Sequence, residues 1–162
     1  MAEGSLITEE LRKLIGVSGE PITYKVEEGA IQRYAEAIGD LNPLYHDVEY
    51  ASKSKHGRLI CPPGFNGWPI KGQIGALPGG ASEMMGAFAK AGAPSRLLDG
   101  GIEFEFFIPI GAGDVLIATS KVADMTERET SMGKTMFITT EATFQKQNGD
   151  VALRSQATLI CF

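Results

Sequence analysis

A carboxylate, an amide, a phenol and an imidazole lie close together in the segment Gly39–Asp47 (GDLNPLYHD). They belong to Asp40, Asn42, Tyr45 and His46, and His46 is one of only two histidines in the chain. A carboxylate and an imidazole that face the same small substrate can move a proton near neutral pH. A proline in the middle of the segment stiffens the turn. The segment is therefore the first candidate for an active site.

Each of these residues also has a structural interpretation. Asp40 could cap backbone N–H groups in the turn, and Asn42, directly before a proline, is typical of a turn former. Tyr45 could fill the core, and His46 could lie at the rim of the molecule. The residues alone leave both interpretations open.

The composition is typical of a soluble globular chain, with 162 residues, 43% hydrophobic and 22% charged. A net charge of −5 without a lysine or arginine cluster argues against nucleic acid as the main partner. No apolar run approaches the ~18 residues of a membrane span, and Met1–Ser18 lacks the apolar core of a secretory signal. Cys61 and Cys161 fit no metal spacing, so we interpret both as reduced thiols of a cytoplasmic protein without a metal.

Hydrophobic periodicity predicts the elements that must position the polar segment. Alternation predicts a strand at Ile22–Val26, and a 3.6-residue period predicts a helix from Glu27 or Glu28 through Ile38, with Gly39 as its stop. A long apolar-faced helix against a curved antiparallel sheet is the expected packing, in a single α+β domain over residues 1–162. The other predicted elements are short helices at Ser5–Gly16 and Asp47–Lys53, a Gly/Pro-rich insertion at 67–94 around a helical core at Ala81–Lys90, strands at Ile102–Ile108, Val115–Met125, Lys134–Gln145 and Val151–Cys161, and a hairpin turn at Gln147–Asp150.

The chain resembles the MaoC-type dehydratase and (R)-specific enoyl-CoA hydratase family. Tyr34–Leu44 (YAEAIGDLNPL) is close to the hydratase signature of that family, and Gly57–Ile60 and Phe106–Asp114 (F-x-x-P-x-x-x-G-D) fit two further segments. The resemblance implies the hot-dog fold, a curved antiparallel sheet around a central helix, with an acyl tunnel where two such units meet. It also implies hydration of a trans-2-enoyl thioester, or dehydration of an (R)-3-hydroxyacyl thioester. Coenzyme A or the phosphopantetheine of an acyl carrier protein would carry the acyl group, with no other cofactor.

Two departures from the family pattern bear on this chemistry. In active members an aspartate and a histidine five residues later hold the reacting water, whereas here Tyr45 follows Asp40 at that spacing and His46 comes one residue later. A phenol with a pKa near ~10 is a poor base at neutral pH, and one residue of offset turns a side chain by about 100° in a helix. Pro63 stands where the family has an oxyanion-hole glycine, and proline has no N–H to donate.

Both departures are typical of the amino-terminal-type MaoC dehydratase domains, which pair with a catalytic hot-dog partner. The resemblance therefore predicts a hydratase or dehydratase component in a homodimer or heterodimer of hot-dog subunits. The candidate catalytic residues are Asp40, Asn42, Tyr45 and His46. The candidate substrate-binding residues are Pro63, Gly64, Phe65, Trp68 and, for a phosphate group, Arg58; the backbone from Gly64 to Gly67 would offer the nearest free donors.

Three alternatives stay open. The chain could be a self-sufficient hydratase that uses Asp40 and His46. It could be a non-catalytic subunit that binds acyl-CoA or acts as a scaffold. A thioesterase on the same fold is a further alternative, for which the sequence offers no separate nucleophile.

Overall fold

An antiparallel sheet of five strands forms the centre of the part of the chain that the structure describes. The structure is a computed structural model that describes residues 4–67 and 80–162. Within these residues the strands follow the order β1-β3-β4-β5-β2 across the sheet, so β1 and β2 form its edges. The elements are α1 (Glu9–Arg12), β1 (Ile22–Lys25), α2 (Glu28–Ile38), α3 (Pro43–His46), α4 (Val48–Lys53), α5 (Gly80–Lys90), β2 (Leu97–Phe106), β3 (Val115–Thr130), β4 (Gly133–Lys146) and β5 (Val151–Cys161).

Helix α2 has the position and most of the buried face that its periodicity predicts. Gly39 ends it in the left-handed conformation, with φ of +70°, and Ile31 and Ala35 are fully buried. The helix belongs to a core cluster, the first cluster, with residues of all three central strands. A 3.6-residue period also predicts Ile38 on the buried face, but Ile38 is 52% exposed because it lies in the last turn, where the chain leaves the core. Ala30 is buried in the first turn.

Three predicted elements differ in length from those observed. The N-terminal helix, capped by Thr8, covers only Glu9–Arg12, because the residues after it run beside β3. Strand β2 begins at Leu97 rather than Ile102, and a register shift between Asp99 and Ile102 accommodates the two glycines that broke the alternation. Strand β3 continues to Thr130, beyond the last predicted residue.

A second core cluster lies apart from the first. It joins Ile7 and Leu11 of the N-terminal segment, Phe88 of α5 and residues of β3, β4 and β5. The helix predicted within the insertion is confirmed as α5. It packs against the second cluster, whereas α2 packs against the first, so the two helices occupy different parts of the sheet.

Candidate functional site

The polar segment between α2 and α4 is fixed by hydrogen bonds from its own side chains. Asn42 caps helix α3, and its Oδ1 accepts from the N–H of Leu44 at 3.1 Å. Asp40 Oδ1 accepts from the N–H of Asn42 at 3.0 Å. Both side chains thus perform the turn-forming role that their sequence context allows. Their catalytic role stays a prediction.

Tyr45 lies in the first cluster, with 7% of its surface exposed. Burial raises the pKa of its phenol and the nearby Asp40 carboxylate raises it further, while a hydrogen bond with the Asn42 side chain acts in the opposite direction. The pKa of Tyr45 is raised overall, so the phenol keeps its proton at neutral pH. At the position of the family's histidine, the chain therefore carries a hydrogen-bond donor rather than a base.

The ring of His46 is turned toward the backbone. Its Nε2 lies 2.6 Å from the carbonyl oxygen of Asp40, and since a carbonyl only accepts, Nε2 carries the proton. The carbonyl of His46 itself accepts from Gln32 Nε2 at 3.1 Å. The imidazole therefore holds the polar segment closed against the end of α2.

An apolar pocket of about 350 Å³ lies beside Tyr45, here called the Tyr45 pocket. Pro63 and Phe65, two predicted substrate-binding residues, line it, while His46 is not among its described lining residues. Its volume falls at the lower end of the range for small-molecule sites. The lining residues are Tyr45, Ile60, Cys61, Pro63, Phe65, Phe106, Phe107, Ile108, Pro109 and Ile110.

Cys61 and the second wall of this pocket, residues 106–110, were not predicted from the sequence. The one signal for the second wall is the Phe106–Asp114 pattern, which indicates the family but not a pocket. Backbone hydrogen bonds bring the two walls together, from the N–H of Cys61 to the carbonyl of Ile110 at 2.7 Å and from the N–H of Ala112 to the carbonyl of Leu59 at 2.9 Å. These contacts join segments about fifty residues apart, which sequence patterns do not reveal.

Asp114 holds the same two segments together by charge. Its side chain is 10% exposed and pairs with Arg58 Nη2 at 2.6 Å and with Lys146 Nζ at 3.1 Å, and it accepts the N–H of Gly111 at 2.9 Å. Burial alone would raise the pKa of Asp114, but the Gly111 N–H and the two cations outweigh it, so the pKa is lowered.

Arg58 is engaged within the protein. Besides Asp114, its Nη1 donates to the carbonyl of Ala112 at 3.1 Å. Its observed contacts therefore position the loop after β2. The predicted phosphate-binding role of Arg58 stays a prediction.

The segment that follows the two prolines is tightly packed. The ring of Phe65 stacks on Tyr34 with centroids 4.7 Å apart. A Cβ at Gly67, which has φ of +76°, would lie 2.5 Å from Val26 Cγ2, so only glycine fits without a shift.

At least one of the predicted backbone donors from Gly64 to Gly67 already has a hydrogen-bond partner within the protein. The Phe65 N–H donates to the carbonyl of Pro62 at 3.0 Å. Gly64, with φ of +89°, lies against the Tyr34 hydroxyl. Trp68 lies outside the described residues.

The thiol of Cys61 lines the Tyr45 pocket as a neutral group. Burial raises its pKa to about 12, with the Asp114 carboxylate as the second cause. A thiolate, the nucleophilic form, is therefore nearly absent at neutral pH. This arrangement gives no support to a thioesterase that would use Cys61.

Two further features concern the described residues alone. No helix among them combines the length and the apolar character needed to cross a membrane. Within residues 4–67 and 80–162, no three His, Cys, Asp or Glu side chains are grouped to hold a metal ion.

Comparisons with known proteins agree with the resemblance. The family described as "FAS1-like, dehydratase domain region" matches residues 13–154. A relative from Thermomonospora curvata, named "Probable enoyl-CoA hydratase alpha subunit", is 29% identical over 139 residues, which are 82% of this chain. The match covers 43% of that relative, so the chain spans less than half of its length.

Two solved structures share the fold. One chain of the ChsH1-ChsH2 complex from Mycobacterium tuberculosis is 19% identical with a TM-score of 0.71, covering 95% of this chain and 89% of that one. A MaoC-like dehydratase is 20% identical with a TM-score of 0.72, covering 98% of this chain and 43% of that one. The predicted resemblance to MaoC-like dehydratases and the α+β hot-dog fold are confirmed.

Proposed function

We propose that this chain, which belongs to the FAS1-like dehydratase-region family, is the acyl-thioester-binding component of a hydratase or dehydratase whose catalytic base lies on a second hot-dog subunit. The observation that carries the proposal is the neutral, buried phenol of Tyr45 at the position of the family's histidine, beside an apolar pocket. The only histidine nearby among the described residues, His46, bonds to the backbone carbonyl of Asp40 instead.

The chemistry explains why a second subunit is needed. Hydration adds the hydroxyl of water to C3 and a proton to C2 of the enoyl chain, so a base must take a proton from the water and a donor must stabilise the enolate oxygen. A neutral phenol can donate a hydrogen bond but removes no proton at neutral pH. The Asp40 carboxylate accepts the N–H of Asn42 through Oδ1, while the neighbouring His46 imidazole bonds to the Asp40 backbone carbonyl and not to that carboxylate.

Strand β2 offers the surface for the second subunit. It forms one edge of the sheet, and nearly all of its residues are exposed. An unpaired edge with apolar side chains is a template for another strand. The exposed apolar residues of this edge are Leu97, Leu98, Ile102, Phe106 and the adjoining Phe107.

The comparisons support a partnership without identifying the partner. One relative is named as an alpha subunit, and one similar solved chain comes from a complex. The partner we propose is a hot-dog subunit with an intact Asp-x-Asn-Pro-x-His segment. A carrier such as coenzyme A or phosphopantetheine would present the acyl group, and the chain itself would need no metal.

The test is reconstitution. The purified chain alone should hydrate crotonyl-CoA no faster than buffer, whereas the chain co-purified with a hot-dog subunit that has the intact segment should hydrate it. A matched complex in which the partner's aspartate is replaced by asparagine controls for the origin of activity. Full turnover by this chain alone, abolished by Asp40→Asn, would refute the proposal and favour the self-sufficient hydratase.

A non-catalytic binding subunit is the second candidate. It is favoured by the two titratable side chains that line the Tyr45 pocket. The pKa values of Tyr45 and Cys61 are both raised above their ordinary values, so both groups keep their protons at neutral pH and neither acts as a base or a nucleophile there. Saturable binding of acyl-CoA with no turnover in any pairing would support this candidate over the first.

A further inference from the structure

The face of the sheet that turns away from the two core clusters is here called the outer face. Both clusters take strand residues from the opposite face, among them Ala118, Ala142 and Ile138, and side chains alternate between the two faces along each strand. A groove of about 670 Å³ lies on the outer face. An antiparallel sheet commonly leaves one face to water, so this face indicates a partner only if its side chains are arranged to fit one.

Residues of β3, β4, β5 and β2 lie side by side in rows across the outer face. One of these, the charged row, consists of Lys121, Glu141, Gln156 and Glu103. Lys121 pairs with its neighbour Glu141 at 3.1 Å. Neighbouring strands are about 4.8 Å apart, so Lys121 and Glu103 lie about 14 Å from each other and do not pair within one copy. The row therefore carries opposite charges at its two ends.

A second copy of the chain matches the charged row in one orientation. A twofold axis parallel to the strands, placed between β4 and β5, reverses the strand order in the second copy. Lys121 then lies opposite Glu103 of the second copy, and Glu141 lies opposite its Gln156. An axis across the strands would instead place the β2 carboxylates, Glu103 and Glu105, opposite carboxylates. Like charges in direct opposition weaken a contact, so the charges favour the axis parallel to the strands.

The adjacent row fits the same axis by shape. Its residues on β3 and β4, Thr119 and Thr143, are short, whereas those on β5 and β2, Arg154 and Glu105, are long and exposed. All four line the groove. The axis places the long side chains of each copy over the threonines of the other. Arg154 would then also come close to Glu141 of the second copy, two residues along the strand from Thr143.

An apolar row lies on the other side of the charged row. Phe137 of β4 is beside Ile160 of β5, and Leu98 of β2, which is 48% exposed, comes next to Ile160. The same axis places Phe137 opposite Ile160 of the second copy. Between the two rows, Asp124 lies opposite the glycine pair of β2 and meets no carboxylate. Charge, shape and apolar surface thus all fit one arrangement.

We propose that two copies of this chain associate through their outer faces, with the twofold axis parallel to the strands. Stacked sheets lie about 10 Å apart, a distance that lysine, arginine and glutamate side chains can bridge. The contact goes beyond the proposed function, because it uses the face of the sheet and leaves the β2 edge free for a hot-dog partner. Four strands and four rows cover about 20 Å by 25 Å, less than the ~800 Å² per partner of a standard interface, so the dimer should be weak.

Charge reversal at the two ends of the charged row tests this arrangement. Lys121→Glu would place carboxylates opposite each other at both ends of the dimer, and Glu103→Lys would place two ammonium groups there. Each variant alone should weaken self-association of the full chain by at least about tenfold, measured by sedimentation velocity from about 5 to 500 µM. Lys53→Glu is the matched control: Lys53 also pairs with a glutamate, Glu49, but lies on α4, so its reversal should leave self-association unchanged.

Mixing the two variants separates a lost contact from a lost fold. In an equimolar mixture of Lys121→Glu and Glu103→Lys, each opposite pair joins an ammonium group to a carboxylate. The mixture should therefore associate within about threefold of the wild type. A variant that failed to fold would not be rescued in this way.

Three results would overturn the inference. The first is a wild-type chain that stays monomeric up to about 500 µM. The second is self-association that Lys121→Glu leaves unchanged, which would indicate contact through the β2 edge, three strands away from Lys121. The third is a mixture of the two variants that associates no better than either alone. Reconstituted hydration of crotonyl-CoA is measured separately, so the inference can fail while the proposed function holds, and the reverse.

Discussion

Replacing Asp114 by asparagine should destabilise the protein, because that carboxylate pairs with two cations, Arg58 and Lys146. Removing one partner of a fully buried ion pair costs about 3–5 kcal/mol. Arg58 is 38% exposed and Lys146 17% exposed, so water can partly solvate both cations after the change. We therefore discount the cost to about 2 kcal/mol of unfolding free energy at pH 7.

The pH dependence follows from the direction of the pKa shift. The folded-state pKa of Asp114 is lowered, so its stabilisation is complete above the unfolded-state pKa and is lost as the pH falls through the folded-state pKa. The difference between the wild type and Asp114→Asn should therefore be constant from pH 6 to 8. It should shrink below about pH 4.

Urea denaturation at several pH values measures both effects. Glu49→Gln is the matched control, because Glu49 also pairs with a lysine, Lys53, but both side chains are largely exposed. The control should lose less than about 0.5 kcal/mol. A cost of Asp114→Asn no larger than that of Glu49→Gln, or one that grows as the pH falls, would show that the Asp114 carboxylate does not stabilise this charge cluster.

Three further predictions follow from single residues. Gly67→Ala should cost about 3 kcal/mol of unfolding free energy, because the new side chain is strained in the left-handed conformation and clashes with Val26. The control Gly39→Ala has a similar φ but open space around it, so it should cost only about 1–2 kcal/mol in the same urea titrations. Alkylation of Cys61 by iodoacetamide, measured in a Cys161→Ser background, should be slow at pH 7. Because burial raises the pKa of Cys61 to about 12, the rate should rise about tenfold per pH unit up to pH 9. A rate that levels off below pH 9 would contradict that burial effect. His46→Ala removes the bond to the Asp40 carbonyl and should therefore lower the unfolding free energy by about 1 kcal/mol. The pH profile of the reconstituted complex should stay unchanged. A ~100-fold loss of kcat would instead favour the self-sufficient hydratase.

Local patterns predicted the parts of the fold that depend on neighbouring residues. The period of Glu28–Ile38, the glycine at 39 and the Gln147–Asp150 turn predicted α2 and the last hairpin, and these are confirmed. Strand β2 was predicted too short because its alternation resumes in shifted register after the glycine pair. A bulge of this kind is set by the neighbouring strand and not by local periodicity.

The candidate site was only half predictable, for a similar reason. Asp40, Asn42 and Tyr45 are close in sequence, and a turn keeps them close in space. The opposite wall, Phe106–Ile110, reaches Tyr45 only through long-range pairing and the Asp114 contacts, so no local signal placed it there. The direction of the His46 ring depends on a single hydrogen bond, which spacing alone does not determine.

If Tyr45 contributes a hydrogen bond and not a base, Tyr45→Phe in the reconstituted complex should keep most of the activity. The measurement is the pH profile of kcat/KM for crotonyl-CoA, compared with that of the wild-type complex. We expect a loss of less than about tenfold, as for one hydrogen bond, with both limbs of the profile unchanged. A loss of ~100-fold or more together with the disappearance of one limb would show that the phenol itself transfers the proton, and that this chain carries its own base.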